Sequence, residues 1–296
     1  MIAYDNGGVN DRFRGRVIFP VHTLSGKVVA FGGRVLKKDE KTAKYVNSPE
    51  SEIYHKSNEL YGIYFAKQAI VKADRCFLVE GYTDVISMHQ AGVENVVASS
   101  GTALTQGQIR LIHRFTSNIT VLYDGDAAGI KAALRGIDLL LEDGMNVKVV
   151  LLPDGEDPDS FARKHNASQF AEFIRQNETD FIRFKTRLLL DDAGTDPIKR
   201  SALISRHYPD GGHHPDNIAR SLYIRECSTM NGIDEMLLLN ESEQNPPQQG
   251  RKASEHSVLP HSGYSRQYPR IPGYSRLPAL SGRDAGGTTA GKSPAS

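Results

Sequence analysis

Cys76-Phe-Leu-Val-Glu-Gly-Tyr-Thr-Asp84, Ile119-Thr-Val-Leu-Tyr-Asp-Gly-Asp126 and Val147-Lys-Val-Val-Leu-Leu-Pro-Asp-Gly-Glu-Asp-Pro-Asp159 share one grammar. Each is a near-continuous apolar run that stops at an acidic, glycine-bearing turn. Such runs read as strands buried on both faces. A fourth run, Asn95-Val-Val-Ala-Ser99, lies between the first two. Helical periodicity fills the gaps, over 83–91 up to Gly92, over 105–115, and over 127–142 up to Gly144. Thr105 with Gln108 three residues on has the form of a capping box. Regular alternation with short connections predicts a parallel sheet with helices on both faces. In such a sheet, ligands bind beyond the carboxyl ends of the strands. Carboxylates from three separate loops are therefore expected at one edge. Ionised together they repel, and a bound divalent cation or an upward pKa shift resolves the repulsion. Mg²⁺, which keeps water and phosphate beside a few carboxylates, suits this set. Taken singly, each turn could equally be a helix cap or an Asp-Gly turn.

Outward from this block the chain changes character. From Asp11 to Lys72 there are 12 Lys/Arg against 6 Asp/Glu, while the 296 residues together carry a net charge of +1. A uniformly basic nucleic-acid coat is excluded, and a local basic face is not. Arg16-Val-Ile-Phe-Pro-Val reads as a strand ended by Pro20, Ser25-Gly26 as a turn, and Lys27-Val-Val-Ala-Phe as its hairpin partner. Gly32-Gly33 is expected to let the chain bend, and a helix is expected over 59–73. On a strand, alternating Arg12, Arg14 and Arg16 would share one face, either to meet phosphates or as a charged, solvated edge. Tyr61, Tyr64 and Phe65 could stack on bases, but their helical spacing suits core packing.

After Pro158 the pattern is helical, over 160–164, 167–176, 180–190 and 197–204. Arg206-His-Tyr-Pro-Asp-Gly-Gly-His-His-Pro215 interrupts it, in the manner of a compensated reading-frame slip. His207, His213 and His214 could bind a metal, but no pattern of partner acids or thiols accompanies them. From Asn245 onward there are 7 of the 14 prolines, 7 glycines, 8 serines and no apolar periodicity, so a disordered tail is expected. Gly286-Gly-Thr-Thr-Ala-Gly-Lys-Ser293 fits the P-loop expression but lacks the strand and helix that make one work. Two cysteines, Cys76 in an apolar run and Cys227, cannot form a zinc ribbon or a disulfide framework. No apolar stretch approaches a membrane span, so a cytoplasmic chain with reduced thiols is expected.

Glu80-Gly-Tyr-Thr-Asp84, Tyr123-Asp-Gly-Asp126-Ala-Ala-Gly129 and Leu152 through Asp159 resemble the metal-binding Toprim module of bacterial replicative (DnaG-type) primases. Arg12-Phe-Arg-Gly-Arg-Val-Ile-Phe-Pro20, Phe31-Gly-Gly-Arg34, Lys44-Tyr-Val-Asn-Ser-Pro49, His55-Lys56 and Leu60-Tyr61-Gly62 resemble the basic subdomain that precedes it. The resemblance runs from about Asp11 to Asn240. It implies an α/β fold: a Toprim-type parallel sheet flanked by helices (76–165), preceded by a basic α+β part (1–75) and followed by a helical subdomain (166–244) and the tail (245–296).

The resemblance further implies a DNA-directed RNA polymerase of the replication primosome, which makes short RNA primers on a single-stranded DNA template from ribonucleoside triphosphates. It assigns Glu80, Asp124 and Asp126 as catalytic metal ligands for Mg²⁺ or Mn²⁺, with Asp84, Asp157 and Asp159 completing the acidic site. Arg12, Arg14, Arg34, Lys44, Tyr45, Asn47 and Lys56 match positions that contact template, primer or nucleotide. The family's zinc module and its domain for the replicative helicase have no counterpart here, so the chain is expected to begin partway through the polymerase region and to hold no zinc. The alternatives are a truncated, initiation-deficient form that only binds single-stranded DNA, or another Toprim enzyme of nuclease or topoisomerase type.

Overall fold

Five strands form the central sheet of the computed structural model: β6 (Cys76–Val79), β7 (Val96–Ala98), β8 (Asn118–Tyr123), β9 (Asn146–Leu151) and β10 (Thr179–Asp180), in the order β10-β9-β8-β6-β7. The first four are mutually parallel, and β10 pairs antiparallel with β9 at the edge. The structure describes residues 2–3, 9–36, 43–101, 103–124, 136–137, 139–153, 155–193, 217–232 and 234–244, all within the unit Met1–Leu259. Asp126, Asp154, most of the helix expected over 127–142, the helix expected over 197–204, the 206–215 interruption, the tail and its P-loop-like string lie outside them.

The connections follow the sequence reading. Helix α2 (Tyr82–Gln90) joins β6 to β7, and α3 (Gln106–His113) joins β7 to β8. Thr105 caps α3 reciprocally with Gln108. Phe77 and Val79 of β6, Leu122, Val150, Met88 of α2, and Phe161, Phe170 and Ile174 form one buried cluster on one face of the sheet. Phe161 comes from α4 (Pro158–Lys164), and Phe170 and Ile174 from α5 (Ala167–Asn177). Full burial of each such side chain stabilises by about 1.5–3 kcal/mol. Beyond β10, α6 (Phe181–Ala193), α7 (Asn217–Asn231) and α8 (Glu235–Gln244) make the helical part, with Arg183 paired to Glu226 at 2.8 Å across α6 and α7.

Ahead of the central sheet are a short ribbon, β1 (Ile2–Ala3) with β2 (Val9–Asn10), and a three-stranded antiparallel sheet, β3 (Arg16–His22), β4 (Val28–Val35) and β5 (Tyr45–Asn47). The β3–β4 hairpin turns at Gly26, at φ 87°. Three expectations need correction here. Pro20 does not end β3, because β3 is an edge strand and a missing N–H there loses no ladder bond. Gly32 and Gly33 do not bend the chain. A Cβ at Gly32 would stand 2.5 Å from the Tyr82 ring, and one at Gly33 2.6 Å from Phe13, so they admit aromatic rings against a continuous strand. Arg12 and Arg14 lie in a turn before β3, where Asp11 accepts from the Phe13 N–H, so only Arg16 of the three is on the strand.

Helix α1 (Ile63–Ala73) begins four residues later than its periodicity suggests. Tyr61 is extended, pairing its backbone with Ala98 at the edge of β7, and Gly62 turns the chain at φ 87°.

Candidate active site at the carboxyl edge of the sheet

Strand β6 continues to β7 on one side and β8 to β9 on the other, so the order reverses between β6 and β8. That reversal is the topological switch point where open α/β sheets bind ligands. Glu80 and Asp124 are the first residues past these two neighbouring strands, whose register pairs Leu78 with Val121. The Tyr123 phenol, last in β8, is raised above its ordinary pKa by burial and then by the Glu80 charge.

Asp84 is the third residue of α2 and accepts a 2.8 Å hydrogen bond from the Gly81 N–H. A Cβ at Gly81 would lie 2.9 Å from that carboxylate. Only 8 % of Asp84 is exposed, and burial pushes its carboxyl up to about 6. The Gly81 N–H opposes the shift, while the charges of Asp157, Asp124 and Asp159 add to it. Carboxylates that the sequence distributes over three loops thus act on one another. Among the described residues no three acidic, His or Cys side chains are already gathered as one metal cluster. Asp126, assigned with Asp124, is outside them.

The remaining two carboxylates differ. Asp157 is exposed and caps α4, accepting from the Ser160 N–H at 2.6 Å. Asp159 is buried and held by others: Arg163 grips both its oxygens, with Nε to Oδ1 at 2.8 Å, and the Ser87 hydroxyl donates to Oδ1. Sequence reading missed Ser87 and Arg163. Their signals are helical spacing alone, Ser87 three residues after Asp84 and Arg163 four after Asp159.

The three-stranded sheet meets this edge through aromatic and polar contacts. Tyr82 is buried, stacks on Phe19 at 5.1 Å and meets Tyr61 edge-on at 4.7 Å. The Arg34 guanidinium and the Lys44 ammonium lie over the Tyr45 ring, 5.7 and 5.8 Å from its centroid. The Tyr45 hydroxyl is 3.4 Å from the Thr83 hydroxyl at the start of α2. Two cations over one ring beside the acidic edge make this side of the site attractive to an anion.

Arg16 serves the sheet itself, donating to the carbonyls of Gly33 and Ala43. Arg14 is exposed, and Arg12 donates to the Asn47 carbonyl. Lys56 is half-buried, which lowers its pKa. Its backbone is fixed at both ends, the N–H to Glu50 and the carbonyl to Gln108 of α3.

Residues 1–67 match the family described as DNA primase catalytic core, N-terminal domain, and residues 77–162 match Toprim-like. The DNA primase of Clostridium acetobutylicum is 40% identical over 241 residues, which are 80% of this chain and 39% of that protein. The chain thus spans well under half the length of that curated relative. A crystal structure of a DNA primase domain from Pseudomonas aeruginosa superposes with a TM-score of 0.73 at 36% identity, covering 81% of this chain and 75% of that one. A DnaG primase catalytic domain solved with bound single-stranded DNA superposes at 0.69 and 38% identity, covering 77% and 74%. On these family matches, these superpositions and this much shared sequence, the chain belongs to the DnaG-type bacterial primase family, and what it shares with these relatives is their catalytic core.

Proposed function

We propose that this chain carries the nucleotidyl-transfer site of a primase, extending short RNA primers on single-stranded DNA from ribonucleoside triphosphates in the cytoplasm. The observation that carries the reading is geometric: Glu80 and Asp124 directly follow the paired strands β6 and β8 at the switch point, with Asp84 buried at the start of α2, beside a sheet where Arg34 and Lys44 lie over Tyr45.

The donor set fits a hard divalent cation. It is made of carboxylates, with no His or Cys in the three loops, and the Asp84 carboxyl is raised by burial and then by its acidic neighbours, a shift that a bound cation would oppose. Glu80, Asp124 and Asp126 would hold Mg²⁺ or Mn²⁺, with Asp84 and Asp157 beside them. Such ions supply charge stabilisation at the attacking and leaving oxygens of a phosphoryl transfer when bound. Asp159, saturated by Arg163 and Ser87, holds α4 against α2 and so keeps Asp157 at the edge. Arg34 and Lys44 attract the phosphates that the carboxylates alone would repel. Tyr45 holds those two cations at the Thr83 end of α2. Arg14 and Lys56 extend the positive surface toward the template strand. Catalysis by this set is positioning and charge neutralisation.

The test uses single-stranded template and labelled ribonucleoside triphosphates with Mg²⁺ or Mn²⁺, with and without a preformed primer. Extension of the primer, lost on Asp124→Ala with DNA affinity retained, is expected. Intact DNA binding with no product under either condition would leave a single-strand binder instead.

A further inference from the structure

Asn47 lies in β5 opposite Gly32, and both ends of its amide reach across to the central sheet. Its Oδ1 accepts a 2.8 Å hydrogen bond from the Tyr82 hydroxyl, on the first residue of α2. Its Nδ2 donates to the Ser100 carbonyl at 3.3 Å. Its own carbonyl accepts from Arg12 Nε at 3.2 Å. The chain of bonds continues, for the Ser100 N–H donates to the Glu80 carbonyl at 3.1 Å. Ser100 holds φ 61°, a left-handed conformation that a serine adopts only where its neighbours impose it. Two residues, Asn47 and Ser100, therefore connect Arg12, in the turn before β3, to the backbone of a proposed metal ligand.

The surroundings make this junction close and specific. Gly32 lets β4 approach so near that a Cβ would meet the Tyr82 ring. Tyr82 is 2 % exposed, so its hydroxyl depends on protein partners. An amide meets both demands at once, an acceptor toward Tyr82 and a donor toward Ser100. Aspartate keeps the first and loses the second, and alanine loses both.

We propose that Asn47 is a positioning residue that fixes the basic sheet to the acidic edge, rather than a contact to template or nucleotide. This rests on the polymerase reading above, since it sets where a primer bound on the basic sheet meets the carboxylates. A displacement of about 1 Å between the two surfaces is enough to cost ~10²-fold in turnover.

The experiment uses the full chain with nitroxide labels at Lys27→Cys and Glu94→Cys, both exposed, the first just before β4 of the basic sheet and the second in the loop that leads into β7 of the central sheet. Pulsed dipolar spectroscopy reads the distance distribution between them. The parent gives one narrow distribution, and Asn47→Ala broadens it. Asn47→Asp, which keeps the Tyr82 bond, gives an intermediate width. In primer extension Asn47→Ala lowers kcat by roughly 10–100-fold, with KM for the triphosphate and Kd for single-stranded DNA within about twofold of the parent. Combining it with Tyr82→Phe causes little further loss, because both act through one junction.

An unchanged distribution with a raised KM or Kd would overturn the proposal in favour of direct contact. An unchanged distribution with unchanged kinetics would overturn it outright. A parent that makes no product counts against the polymerase reading alone, because the distances and the DNA affinity still decide the role of Asn47.

Discussion

The central sheet and the three-stranded sheet carry opposite charge and are built on opposite principles. At the edge of the central sheet, backbone topology does the first positioning: Glu80 and Asp124 each directly follow a strand whose hydrogen-bonded neighbours fix where it ends. In the basic sheet, side chains do it. Arg12 and Arg16 donate to backbone carbonyls, Asn47 bridges outward, and Arg34 and Lys44 converge on one ring. Charge at a strand end faces solvent and ligand by default. Charge on a sheet face must first be divided between what holds the sheet and what is left for a partner.

The sharpest way to break this contrast is to remove charge from the acidic edge. Asp124→Ala combined with Asp126→Ala should lower primer extension on the order of 10³-fold or more, because the charge of the transferring phosphates is left unbalanced. Fluorescence anisotropy with labelled single-stranded DNA should change little. A parallel collapse of DNA affinity would mean that the two surfaces do not divide the work.

The acidic edge should also reduce stability. The Asp84 carboxyl ordinarily titrates near 3.8 and is pushed up to about 6 by burial. A carboxyl raised on folding binds its proton more tightly in the native state, so stability falls as pH rises from about 4 to 6 and the full penalty remains above that. Asp84→Asn should therefore stabilise the metal-free protein at pH 7.5 by up to about 3 kcal/mol. In urea titrations with chelator, the gap should close below pH 4. Saturating Mg²⁺ or Mn²⁺ should narrow it at pH 7.5, by stabilising the parent alone.

The same division explains what the sequence made legible. Strand ends, the Thr105 capping box and the Ser25-Gly26 turn are local features, and the structure has them. The arrangement of Glu80 and Asp124 followed from two apolar runs and a topological rule. The roles of Pro20, Gly32 and Gly33 were misread because they answer to tertiary neighbours: a free strand edge, the Tyr82 ring and the Phe13 ring. The inward ties of Asn47 were invisible for the same reason. Strand β10, two residues long, has no pattern to read and exists because β9 offers it an edge. Ser87 and Arg163 could have been suspected from spacing, but only packing of α4 on α2 brings Ser87 to Asp159.

Gly32→Ala tests the seam between the two surfaces. A methyl 2.5 Å from the Tyr82 ring must displace either that ring or β4, and the Phe19 stack limits both. Overpacking of this kind costs roughly 1–3 kcal/mol. A fall in urea midpoint with unchanged slope is expected, together with a loss of extension larger than the loss of DNA affinity. Gly15→Ala makes the control, since nothing lies within 4 Å of a Cβ there, although its φ of 69° adds backbone strain. If both variants lose stability equally, the seam is not tight and the contrast weakens.

The smallest effect distinguishes a cation left for the partner from one used by the sheet. Lys44 is exposed and its ammonium lies over the face of Tyr45, whereas Arg16 donates to three carbonyls. If Lys44 meets a phosphate, Lys44→Ala removes one released counterion. The slope of log K against log salt should then fall by about 0.7, and affinity by about fivefold at 0.1 M salt, converging on the parent near 1 M. Arg16→Ala should do the reverse, lowering stability through the lost carbonyl partners while leaving the salt slope nearly unchanged. A matched change of slope in both would mean that the hydrogen bonds of Arg16 do not withdraw it from the DNA, and that a sheet residue can serve both tasks at once.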